Sequence, residues 1–177
     1  MTAVVFPRTF HIRRTFLLPL GLLLVLCLAL LATSIYQHQP VAKPLILGCI
    51  ILPVAILFVE SAFRRAIIGA QDITVLKLLR RKTLTFADMT SVETVMVRKR
   101  AFLTISAGED FLILSNAYAD FPGLVHDLLA RVPPAVISEE SRQMAAAPPV
   151  KSSDIVSCWL AVALMAWILY LQLVGSH

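Results

Sequence analysis

Two cationic triplets, Arg80-Arg81-Lys82 and Arg98-Lys99-Arg100, are the densest clusters of chemistry-bearing side chains in this sequence, and Lys77 stands just ahead of the first. Ammonium and guanidinium groups gathered in this way hold anions. The groups that could do catalysis are scattered instead. His11, His38, His126 and His177 lie far apart, and HExxH, GxSxG and GxxxxGK[ST] are absent. His126 and Asp127 are neighbours on an expected helix, where successive side chains diverge by about 100°. Asp88 and Glu93 flank an expected turn, where carboxylates accept hydrogen bonds from backbone amides. Cys27, Cys49 and Cys158 each sit in an apolar stretch, without a CxxC or the spacing of a metal site, and read as small buried residues. The expectation is a non-catalytic protein with no cofactor and no metal.

The elements that must carry the cations follow from composition. Of 177 residues, 58% are hydrophobic and 15% charged, and the mean hydropathy of +0.81 is that of an integral membrane protein. Residues 1–15 form a basic tail with Arg8, Arg13 and Arg14, leading into an uncharged run over 16–36 that is long enough to cross a hydrocarbon core of roughly 30 Å. A secretory signal would show a shorter apolar core and a small-residue cleavage site, so this run reads as a retained span. A short loop with Lys43 leads to a second span over 45–63, which holds Pro53 and, near its end, Glu60. Glu60 reads as an interfacial carboxylate. Residues 155–174 are a third uncharged run, in which Ser157 and Ala161 make a small-xxx-small pair suited to helix packing. Arginines before the first span and Arg64 and Arg65 after the second put the N-terminus and the central module in the cytoplasm.

The central module, residues 64–133, changes period along its length. Segments 66–70, 73–79, 83–86, 92–97, 102–106 and 111–114 read as short strands, with the cationic triplets as hairpin tips. From Asp120 the apolar positions Phe121, Leu124, Val125, Leu128, Leu129 and Val132 fall on one helical face, predicting a closing helix over 120–132. Residues 134–154 read as a linker holding a short helical turn around 139–146. Between residues 64 and 100, nine lysines and arginines stand against three acids, whereas between 101 and 154 three stand against seven, so the module is electrically two-faced. No aromatic residues interleave with the cations as a nucleic-acid stacking platform requires. Six cations near an anionic bilayer contribute at most roughly 6 kcal/mol, which orients a module the spans already hold.

Two spans followed by short strands and one amphipathic helix resemble the bacterial pleckstrin-homology-like membrane proteins. The likeness rests on residues 72–79 (DITVLKLL), residues 83–93 (TLTFADMTSVE) and the 121–132 helix. It implies an α+β membrane protein with three transmembrane helices and a cytoplasmic split β-barrel of about seven strands capped by a C-terminal helix. It also implies a scaffold for binding proteins or lipid. Lys77, Arg80, Arg81 and Lys82 look like the basic first-hairpin cluster with which some pleckstrin-homology domains hold phosphorylated headgroups. The expected role is a protein-interaction module, an accessory subunit of a larger membrane complex. The alternative is an anionic-lipid-binding protein using the basic tips, and a homo-oligomer stays open.

Overall fold

The computed structural model describes residues 7–97, 100–149 and 153–174, which fall into two compact units. One unit is built from strands and short helices, the other from three apolar helices.

The helical unit contains α1 (Arg14–Tyr36), α2 (Ala42–Phe63) and α5 (Ser153–Val174), each long and apolar enough to cross a membrane. On α1 the buried positions Leu20, Cys27, Leu30 and Ser34 recur at heptad spacing, and on α5 Val162 is buried, so the helices pack along narrow seams. Their C-terminal ends are joined by Gln172 of α5. Its Nε2 donates to Thr33 Oγ1 at 3.1 Å and to Gln37 Oε1 at 3.3 Å, while Lys43 Nζ donates to its Oε1 at 3.3 Å. Ala161 is half-buried, whereas Ser157 of the expected pair is exposed. α2 buries no residue; against α1 it brings the Phe58 ring beside Gly21, where a Cβ would press on that ring.

In the strand unit, β1 (Arg8–His11), β2 (Arg65–Ile68), β3 (Asp72–Leu76) and β4 (Arg81–Thr85) form an antiparallel sheet in that order. β5 (Ser91–Val97), β6 (Arg100–Ala107) and β7 (Asp110–Ser115) form a second antiparallel sheet. Period-two alternation turns Ile73, Val75 and Leu84 inward from the first sheet and Leu103, Ile105, Leu112 and Leu114 from the second. α3 (Phe121–Leu129) closes the core with Phe121, Leu124, Val125 and Leu128, all with no exposed surface. Asp120 caps it, accepting from Gly123 N at 3.0 Å.

Two sequence expectations change, and a third is met. The basic tail contributes a strand, because Phe10 and Ile12 alternate with polar neighbours and bury to 4% exposure against the module. The helical turn expected within the linker is α4 (Glu139–Ala146), capped by Ser138; it packs on β5, where buried Ser141 donates to Val92 O at 3.1 Å. The first hairpin tip is displaced toward the N-terminus. The turn is Lys77–Arg80, closed by Lys77 N donating to Arg80 O at 2.8 Å, and Arg81 and Lys82 lie within β4 opposite Leu76 and Val75.

Candidate anion-binding seam

The two sheets meet edge to edge where β4 lies beside β7, yet among the described residues no ladder joins these strands. Alternation along β4 directs Lys82 inward with Leu84 and leaves Arg81 on the outer face. Thr74 and Thr83 share a 2.8 Å hydrogen bond across β3 and β4, fixing the register that carries Lys82. The ammonium of Lys82 then reaches across the seam. It pairs with Asp110 at 2.9 Å and lies 5.0 Å from the centre of the Phe111 ring.

A concavity of about 240 Å³ opens along this seam, lined by Val75, Lys77, Arg80, Lys82, Phe111, Leu112 and Ile113. Three cations therefore surround an apolar floor. Among the described residues neither Lys77 nor Arg80 has a carboxylate within ion-pairing distance, so an anion entering here meets charge not already neutralised. Of the residues expected from sequence, the fold gathers Lys77, Arg80 and Lys82 and separates Arg81 from them. Arg100 starts β6, opposite Val97, and Arg98 and Lys99 lie outside the described residues. Phe111 and Ile113 were not foreseen as part of a site. Their strand was legible, but nothing local tells that it borders β4.

The register also says where these groups lie. His11, Arg65, Leu76 and Arg81 form one row across the four-stranded sheet. The chain leaves this row for α1 three residues after His11 and enters it from α2 two residues before Arg65. The Lys77–Arg80 turn thus emerges from the sheet end at which both apolar helices connect. Segment 117–119 crosses the same end: Arg13 N donates to Ala117 O at 3.2 Å and Ala119 N to His11 O at 2.8 Å.

Tyr118 is central to that crossing and fully buried. Desolvation pushes its phenol pKa upward, and the neighbouring Arg64 guanidinium opposes the shift. Neither Tyr118 Oη nor Arg64 Nε has a hydrogen-bonding partner in good geometry. On the far side of the sheet, Arg8 Nη1 donates to buried Asp127 Oδ2 at 2.5 Å. His126, the neighbour of Asp127, is exposed and takes no part. Among the described residues no three His, Cys, Asp or Glu side chains converge as metal ligands would.

Compared with known proteins, the chain matches no family model, no curated protein and no solved structure.

Proposed function

We propose that this chain is a non-catalytic, membrane-anchored module of pleckstrin-homology-like build that binds the phosphate-bearing headgroup of an anionic lipid on the cytoplasmic side of a bacterial inner membrane. The observation that carries the reading is the seam concavity in which Lys77, Arg80 and Lys82 surround an apolar floor. A phosphodiester there meets three cations, and glycerol or acyl carbon meets Val75 and Ile113. At about 1 kcal/mol per cation, three supply about 3 kcal/mol, roughly a hundredfold preference for anionic over zwitterionic headgroups. Helices long enough to span support the anchoring, and arginines on both sides of the α1–α2 hairpin support the orientation. The test is native mass spectrometry of the intact chain released from membranes in mild detergent. Enriched anionic lipid on the wild type, reduced about tenfold or more by Lys77→Glu with Arg80→Glu, supports the reading. Equal lipid content in wild type and variant sinks it.

A second reading, an accessory subunit that binds another membrane protein, has its own observation. Residues 137–141 and α4 cover the start of β5, while Val95, Met96 and Val97 are each more than half exposed on the remainder of this edge strand. A stoichiometric partner that survives high salt and is released by Met96→Glu, with bound lipid unchanged, would favour this role over the first.

A further inference from the structure

We propose that the Lys77–Arg80 turn is a membrane wedge, with Leu78 and Leu79 entering the boundary between headgroups and acyl chains while Lys77, Arg80 and Arg81 remain at the level of the phosphates. The proposal rests on the lipid-facing reading of the module but not on occupancy of the seam concavity.

The two central positions of a four-residue turn ordinarily hold Gly, Asn, Asp or Pro, whose backbones suit the bend and whose side chains suit water. Here both are leucines. Leu79 is 89% exposed and Leu78 46% exposed, although the core of the unit lies one strand away. Leu79 contributes almost nothing to folding by burial and Leu78 buries only about half of its surface, so apolar area on both is left for something outside the chain. Three cations immediately flank them, the arrangement in which interfacial segments place apolar side chains below the phosphates and basic ones among them.

The register favours the bilayer over a protein groove as the occupant. Leu76 pairs with Arg65, two residues beyond the end of α2, and Arg65 pairs with His11, three residues before α1 begins. With strands about 4.8 Å apart, the turn stands about 5–15 Å laterally from the ends of β1 and β2 at which the chain passes to and from the apolar helices. It extends past the row by about two residues, as the chain does at Phe63, itself more than half exposed. An apolar turn tethered so close to two spans meets lipid at an effective concentration no diffusing partner matches.

The experiment uses the full chain with Cys27, Cys49 and Cys158 changed to Ala and Leu79→Cys carrying an environment-sensitive fluorophore, in nanodiscs of phosphatidylcholine with or without phosphatidylglycerol. A matched probe at Ala70→Cys reports the exposed β2–β3 turn at the opposite end of the sheet. The wedge predicts blue-shifted emission at position 79, quenching by lipids brominated near the headgroup, a larger effect with phosphatidylglycerol, and none of these at position 70. Identical emission from the two probes overturns it. A shielded position 79 that brominated lipid does not quench also overturns it, and assigns the turn to a protein or to a second copy. Lipid retention measured separately on the wild type keeps the readings apart. Retained anionic lipid without quenching removes the wedge and leaves the seam site, and quenching without retained lipid does the reverse.

Discussion

Arg8 and Asp127, 119 positions apart, meet in a 2.5 Å hydrogen-bonded ion pair that clasps the first strand to the closing helix. The Asp127 side chain is 8% exposed and that of Arg8 38% exposed, with the guanidinium also 5.2 Å from the centre of the Phe10 ring. Arg8→Ala leaves a buried carboxylate without its cation. The expected loss is about 2 kcal/mol, below the usual cost of breaking a fully buried pair because Arg8 is partly in water. Arg8→Met with Asp127→Leu removes both charges and is expected to destabilise less than Arg8→Ala. Thermal unfolding in detergent checks the order, and a double variant no better than the single one would refute it.

Tyr118 supplies a pH dependence. Its pKa in the folded chain is raised above the usual value near 10, chiefly by burial, so the folded state holds the phenol proton more tightly than the unfolded chain. This contribution to stability is fully present below about pH 10 and is lost as pH rises toward the folded pKa. Tyr118→Phe removes the titrating phenol and is expected to show a shallower decline in stability above about pH 10 than the wild type does. Parallel unfolding curves for the two proteins through that range would contradict the assignment.

Gln172 joins α1 and α5 through a cluster of polar side chains at their C-terminal ends. Gln172→Leu keeps its size but removes the bonds to Thr33, Gln37 and Lys43. Interhelical side-chain bonds of this kind contribute about 0.6–2 kcal/mol. A variant pair of cysteines bridging the two helix ends should cross-link more slowly in the Leu background, and an unchanged rate would show that seam packing alone holds them.

Ser141 has no exposed surface and bonds Val92 O and Thr94 Oγ1, at 3.1 and 2.9 Å. Ser141→Ala is expected to cost about 1–2 kcal/mol and to loosen α4 from β5. Hydrogen exchange should then rise in residues 91–97 and stay unchanged in β2 and β3. A uniform rise across both sheets would indicate global destabilisation instead.

What the sequence determined by itself was whatever has a local cause. Uncharged runs long enough to span, the period-two strands and the 3.6-residue stripe from Phe121 to Val132 are each written in consecutive residues, and the observed elements follow them within a few positions. The short Arg8–His11 strand was hidden because two inward residues beside a long apolar run make no period, and only pairing with β2 creates it. The Lys77–Arg80 turn was hidden because Arg81 and Lys82 look like a polar tip until their pairing with Leu76 and Val75 draws them into a strand. Which cations share a site was decided by tertiary structure alone. Lys82 and Arg81 are adjacent in the chain and point to opposite faces of β4, whereas Lys82 and Phe111 are distant and touch. Side-chain alternation and the meeting of two sheet edges set that arrangement, and neither is a property of any one stretch of residues.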